Sequence, residues 1–294
     1  MVLKVEDVKN VTVIGFGVMG TGIAQVFAQA GYNVVARDVS EDYLKRGLEI
    51  IKNGPFGLYK AVEKGRLKKE EADAALARIK ITTSLDEAAK DADVVVEAIF
   101  ENLDLKKQLF KDLDEKCPEH TVLASNTSTL SITALGGATK RPDRVVGMHF
   151  FNPVPVMKLV EVIKGIASSD ETVQLIKDLS VKLGKTPVVV KDVPGFIANR
   201  LALPYLAEAM RAYEQGIASA EDIDTAMKLG YNMPMGPLEL LDLIGLDTTL
   251  DVLESIYRET NDPKYAPPVI LKQMVRAGWT GRKSGRGFYD YTKK

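Results

Sequence analysis

A chain of 294 residues with 46% hydrophobic and 27% charged side chains has room for one large or two moderate folded domains, which excludes a disordered or low-complexity polypeptide. Lys and Arg (39) balance Asp and Glu (40), so no basic excess points to nucleic acid, and the single cysteine, Cys117, with only two histidines, His120 and His149, excludes an internal disulfide and a Cys/His-rich metal cluster. No apolar run approaches the roughly 18 residues of a membrane span and the first residues carry no signal or transit character, so the expectation is a reducing, cytoplasmic setting without membrane or nucleic-acid partners.

In chain order, Val11–Ile14 is short, β-branched and closed by Gly15, which reads as a buried strand. Residues 18–30 follow as a helix with Met19, Ile23, Val26, Phe27 and Ala30 on one face and Gly31 at its exit. Val34–Ala36 is a second strand, so the opening unit is strand–helix–strand with parallel strands. The charged stretch 41–78, interrupted at Gly54-Pro55 and Gly57, predicts two helices. Strands are expected at 79–82, 94–99, 122–124, 145–148, 157–163 and 187–190, with helices at 102–116 and 171–183. After Asp192 strand patterns cease. Pro194 suits the first turn of a helix running to about Gln215, and 221–229, 236–257 and 266–277 read as helices. The fold class is therefore α/β over residues 1–191, with a mostly parallel sheet, followed by an all-helical domain over 192–294.

Gly15-Phe16-Gly17-Val18-Met19-Gly20 is G-x-G-x-x-G. The pattern is weak alone, but here it follows a strand, opens a helix, and is followed by Asp38 at the end of the next strand. Gly15 permits the tight turn, Gly17 a close pyrophosphate, and Gly20 close packing of helix on strand. The helix N-terminus supplies amide donors and partial positive charge. Asp38 would take the adenosine ribose hydroxyls and repel a 2′-phosphate, which favours NAD(H). Arg37, which could serve a 2′-phosphate, keeps NADP(H) as the alternative. The domain is thus of Rossmann type. A second glycine-rich segment, Gly281–Gly287, lacks a preceding strand and P-loop spacing and reads as a loop.

A nicotinamide cofactor acting on an alcohol–ketone couple calls for a base that accepts the hydroxyl proton. His149 lies at the end of an apolar strand, where ligands of open α/β sheets bind, whereas His120 sits in a turn beside Glu119 and reads as a surface residue. His149 is on position alone either that base or a satisfied core histidine. Glu161, in the apolar run Lys158–Ile163, either braces His149 or points to solvent from an alternating strand. Ser128 either holds the substrate oxygen or caps a helix, and Asn199 either serves the site or an interhelix contact.

Ala124–Ser128, Gly147–Pro153, Met157–Ile163, Pro194–Arg200 and Met235–Leu240, taken in this order, resemble the L-3-hydroxyacyl-CoA dehydrogenase family, most closely its short-chain bacterial 3-hydroxybutyryl-CoA branch. The resemblance implies reversible NAD(H)-dependent reduction of acetoacetyl-CoA to (3S)-3-hydroxybutyryl-CoA. It casts His149 as general base, Glu161 as its partner, Ser128 at the 3-oxygen, and Asn199 at the thioester and reacting oxygen. It adds Glu101, Lys106, Asn152 and Lys283 to the glycine turn and Asp38 as NAD contacts, and Lys60 and Lys64 as contacts of the CoA phosphates, the last two being otherwise a solvated helix face. It also implies a homodimer through the helical domain. A CoA-independent 3-hydroxy acid dehydrogenase of the same fold and a catalytically silent NAD-binding relative are the alternatives.

Overall fold

The short β-branched runs become strands in the computed structural model, which describes residues 3–292. They are β1 (Asn10–Ile14), β2 (Asn33–Arg37), β3 (Ile79–Thr82), β4 (Val94–Glu97), β5 (Val122–Ser125), β6 (Val145–Phe150), β7 (Leu159–Lys164) and β8 (Thr186–Lys191). They form one sheet in the order β3-β2-β1-β4-β5-β6-β7-β8. The six strands from β3 to β6 pair in parallel, β7 is antiparallel to β6, and β8 is parallel to β7. The order reverses at β1, whose neighbours are β2 and β4; that reversal opens a crevice at the carboxyl ends of the strands, where ligands of such sheets bind. β4, β5 and β6 are buried along their whole length, as expected of parallel strands covered on both faces.

Crossover helices cover the sheet: α1 (Val18–Gln29), α2 (Glu41–Asn53), α3 (Leu58–Glu63), α4 (Lys69–Ala77), α5 (Leu85–Ala89), α6 (Leu103–Lys116), α7 (Ile132–Gly136) and α8 (Asp170–Lys182). Side-chain caps open several of them, among them Ser40 on α2, Asn102 on α6 and Ser169 on α8. The core joins Val11, Val13, Phe27, Val94, Val96, Val146, Met148, Val160 and Val162 with helix residues such as Leu44, Ile51 and Leu179.

This unit ends at Val193, two residues past the expected boundary, and a second unit begins at Pro194. The second unit comprises α9 (Ala198–Glu214), α10 (Ala220–Gly230), α11 (Pro237–Ile244), α12 (Leu246–Thr260) and α13 (Val269–Arg276) around its own core of Leu206, Met210, Leu238, Leu241, Leu253 and Ile256. Among its described residues the only β pairing is the isolated bridges at Gly281–Arg286 and Arg286–Asp290.

Several expectations need correction. Helix α1 is buried on all sides from Gly20 to Ala28, while Ala30 is exposed, so it is a core helix rather than one with a single inward face. The stretch 41–78 holds three helices, because Gly65 at φ +66° ends α3 in a left-handed turn. Pro194 does not open a helix: Gly195 and Phe196 both have positive φ, and α9 starts only at Ala198. The stretch 236–257 is two helices, broken at Gly245 (φ +106°). The five-residue helices α5 and α7 are too short to leave a periodic signature. The segment Gly281–Gly287 packs on α11: a side chain on Gly287 would meet the Asp242 carboxylate at 1.9 Å, which gives its glycines a structural reason.

Candidate active site

The glycine turn follows β1 as its sequence requires. Gly15 has φ +91°, and a Cβ there would lie 2.6 Å from the carbonyl of Ala98. A Cβ on Gly20 would lie 1.7 Å from the carbonyl of Gly15, so only hydrogen lets α1 dock against the turn. Gly17 is the N-cap residue of α1, with no side-chain cap and open space where a side chain would stand. The first amides of a twelve-residue helix are left to an outside acceptor, which is the arrangement that binds phosphate. Of the other turn residues, Phe16 is buried against Gly47, Met19 is half-buried and Val18 is exposed.

Asp38 stands just past β2. Its Oδ2 accepts from the amide of Phe16 at 2.7 Å and its Oδ1 from the amide of Val39 at 2.7 Å, so the carboxylate is tied to the glycine turn. Each oxygen retains acceptor capacity for a ribose hydroxyl. Arg37 directs its Nε at the carbonyl of Thr83, 3.2 Å away. Asp38→Asn keeps an acceptor for the turn and removes the charge. Its kcat/KM ratio for NADH over NADPH is expected to fall by about 10-fold or more, because like-charge juxtaposition is what disfavours the 2′-phosphate. An unchanged ratio in steady-state assays would show that Asp38 does not read the ribose.

His149 lies in β6 and Glu161 in β7, and the antiparallel register pairs them directly, so both side chains project from one face. Both are buried, at 4% and 0% exposure. His149 Nδ1 lies 2.7 Å from Glu161 Oε2, and His149 Nε2 lies 3.1 Å from Ser128 Oγ. With Glu161 ionised, its carboxylate can only accept, so Nδ1 carries the proton. A neutral ring then accepts at Nε2 and Ser128 donates to it. Glu161 therefore does not face solvent, and Ser128 is not the cap residue of the helix that follows; Ser131 fills that place on α7. The ring of Phe151 packs 4.6 Å from the imidazole. The amide of Phe150 donates to Asn126 Oδ1 at 2.8 Å, which ties the end of β6 to the Ser128 loop.

Glu101 sits on the other side of that loop. Its Oε1 accepts from the amides of Ser128 (3.0 Å) and Thr129 (3.3 Å) and from the Thr127 hydroxyl, and its Oε2 pairs with Lys106 at 3.1 Å. Burial alone would raise its carboxyl, but the Lys106 charge and the Thr127 and Ser128 donors outweigh it and hold the group below its ordinary value of 4.5. A carboxyl lowered in the folded state stabilises the fold above its ordinary pKa, and that contribution is lost as the pH falls through the lowered one. The stability gap between the parent chain and Glu101→Gln is thus expected to be full at neutral pH and to close below about pH 4.5. Urea unfolding across that range would reveal it, and a gap that widens on acidification would contradict the assignment.

The first unit thus brings together Ser128, His149, Glu161, Glu101 and Lys106. Asn152 is exposed in the turn after β6 and lines a cavity of about 100 Å³ with Gly22, Gln25, Phe56 and Val154. Lys60 is exposed on α3 and pairs with Glu63 at 2.6 Å, and Lys64 is exposed at its end. Asn199, half-buried at the start of α9, and Lys283, paired with Asp247 at 2.5 Å, belong to the second unit. His120 is partly exposed and bonds Asp93 at 3.0 Å. Sequence reasoning missed Glu97, fully buried and 2.6 Å from Lys106; its signal was a carboxylate inside the apolar run Val94–Ile99.

Residues 10–193 match the model described as 3-hydroxyacyl-CoA dehydrogenase, NAD binding domain, and residues 195–291 match its C-terminal domain. The chain belongs to the 3-hydroxyacyl-CoA dehydrogenase family. It is 50% identical over 288 residues to a protein of Bacillus subtilis (strain 168) named "Probable 3-hydroxybutyryl-CoA dehydrogenase", covering 98% of this chain and 99% of that one. It is 47% identical over 284 residues to the 3-hydroxybutyryl-CoA dehydrogenase of Clostridioides difficile, covering 97% and 100%. The crystal structure of (S)-3-hydroxybutyryl-CoA dehydrogenase from Ralstonia eutropha superposes with a TM-score of 0.93 at 47% identity, covering 98% and 100%. Among the described residues of this family member, no helix is long and apolar enough to cross a membrane, and no group of His, Cys, Asp and Glu could hold a metal.

Proposed function

We propose that the protein interconverts acetoacetyl-CoA and (3S)-3-hydroxybutyryl-CoA with NAD(H). The observation that carries this reading is the line Ser128–His149–Glu161, with contacts of 3.1 and 2.7 Å, at the carboxyl end of a dinucleotide-type sheet. The uncapped helix behind Gly17 and the charge of Asp38 fit a dinucleotide without a 2′-phosphate. Gly15–Gly20, Asp38, Glu101 and Asn152 would hold it; Lys106, expected there from the resemblance, is 1% exposed with its Nζ on Glu97 and Glu101 and so stands behind them, and Lys283 has that role from the family resemblance alone. When bound, NADH supplies the hydride that C3 of the ketone accepts.

The chain's own residues manage the oxygen and the proton. In the reducing direction a protonated His149 donates Nε2–H to the ketone oxygen, and the Ser128 hydroxyl donates to the same atom as negative charge grows there. Glu161 accepts from Nδ1–H, fixes the ring and balances the imidazolium. After proton transfer the ring is neutral and Nε2 is an acceptor, and oxidation runs these steps backwards. Asn199 carries its thioester role, and Lys60 and Lys64 their CoA-phosphate role, from the resemblance alone. Exposed Leu201, Leu229 and Tyr231 support a homodimer through the helical unit, and a lone buried Cys117 suits a reducing cytoplasm.

The deciding experiment follows NADH absorbance with acetoacetyl-CoA, repeated with NADPH and with a free 3-hydroxy acid plus NAD+. Turnover with NADH and acetoacetyl-CoA is expected. Turnover on the free acid alone would favour a CoA-independent dehydrogenase, and NADH binding without turnover on any 3-ketoacyl-CoA would favour a silent relative.

A further inference from the structure

Glu97, the last residue of β4, is fully buried, and both its carboxylate oxygens and its carbonyl are hydrogen-bonded. Its Oε1 accepts from Lys106 Nζ at 2.6 Å and from the amide of Ile99 at 2.7 Å, its Oε2 accepts from Ser125 Oγ at 2.6 Å, and its carbonyl accepts from the amide of Asn126 at 2.8 Å. Lys106 is equally buried, at 1% exposure. A buried ion pair repays its desolvation poorly and is weak evidence for stability, so the expense of placing both charges here calls for another reason.

That reason lies in what the two oxygens reach. From Oε1 the path runs through Lys106 to Glu101 (3.1 Å) and on to the amide of Ser128 (3.0 Å). From Oε2 it runs through Ser125 Oγ, which accepts from the amide of Thr127 at 3.2 Å. Both paths end on the short loop that carries Ser128, whose hydroxyl stands 3.1 Å from His149 Nε2. Glu97 also fixes the amide of Ile99, next to the Ala98 carbonyl that closes over Gly15. One carboxylate thus anchors the loop of Ser128 from two directions at the edge of the glycine turn.

We propose that Glu97 is a positioning residue of the dehydrogenase site: through Lys106–Glu101 and through Ser125 it sets the Ser128 hydroxyl against the reacting oxygen and His149. The proposal rests on the function proposed above. A misplacement of about 1 Å can cost about 10²-fold, so loosening this loop should be felt in the rate and not in the fold alone. Because Ser128 acts on charge that develops only in the transition state, the loss should fall on kcat rather than on KM for acetoacetyl-CoA.

The test is a double-mutant cycle on the full chain. Glu97→Gln keeps the shape, removes the charge, and is expected to lower kcat by about 10-fold to 100-fold while KM for acetoacetyl-CoA changes little. In a Ser128→Ala background the same substitution should cost less than about 2-fold more, since the group it positions is gone. Equal losses in both backgrounds, or an unchanged kcat for Glu97→Gln, would overturn the proposal. Should Glu97→Gln not fold, Ser125→Ala removes one path only; a smaller kcat loss that again vanishes beside Ser128→Ala supports the proposal, and a loss that persists there overturns it. Full activity in Ser128→Ala itself would overturn the dehydrogenase site and this inference together, whereas an impaired Ser128→Ala with additive losses would overturn Glu97 alone.

Discussion

His149→Gln is expected to lower kcat at least about 10²-fold while NADH binds as in the parent chain. The side chain of Gln is close in size to imidazole, and its amide can donate to Glu161 Oε2 in place of Nδ1–H, so the buried carboxylate is not abandoned. It cannot take up and release a proton near neutral pH, which is the whole task assigned to Nε2. The dinucleotide features lie elsewhere: the glycine turn follows β1 and Asp38 follows β2, while His149 is on β6. Loss of turnover should therefore separate from loss of binding, as a fluorescence titration with NADH beside steady-state kinetics would read. A parallel loss of both would point to a collapsed sheet, and near-normal turnover would end the base assignment.

The parts of this site legible in the sequence are those whose geometry is local. Gly15–Gly20 announces itself because turn, strand and helix are contiguous: Gly15 has φ +91° and Gly20 lies against the carbonyl of Gly15. Asp38 follows from the same unit. The partnership of His149 with Glu161 was not legible from the residues alone. It depends on β7 running antiparallel to β6 in one register, and a slip of one residue would turn Glu161 to the opposite face. Family resemblance supplied what periodicity could not. Glu97 could have been found by the argument applied to Glu161, since a carboxylate inside Val94–Ile99 is costly to bury without a partner. Pro194 suits a first helical turn, but Gly195 at φ +78° and Phe196 at φ +48° hold that segment in left-handed turns, which composition around a proline does not reveal. Gly65 and Gly245 likewise split stretches that polar–apolar periodicity joins, because a single positive-φ residue breaks a helix without altering its hydrophobic pattern.

Glu161→Gln is the complementary substitution, and it should also lower kcat about 10²-fold or more. It conserves volume inside a strand flanked by Val160 and Val162, so no cavity is opened. Two orientations are open to the new amide. With its oxygen toward His149, the Nδ1–H tautomer survives, but the imidazolium that must form during reduction loses its balancing charge. With its NH2 toward His149, Nδ1 must become the acceptor and Nε2 carries the hydrogen, so the neutral ring no longer accepts a proton from the alcohol in oxidation. Glu161→Asp retains the charge but shortens its reach across the β6–β7 pair, and should fall between the two. Unaltered rates would leave the burial of Glu161 to the sheet.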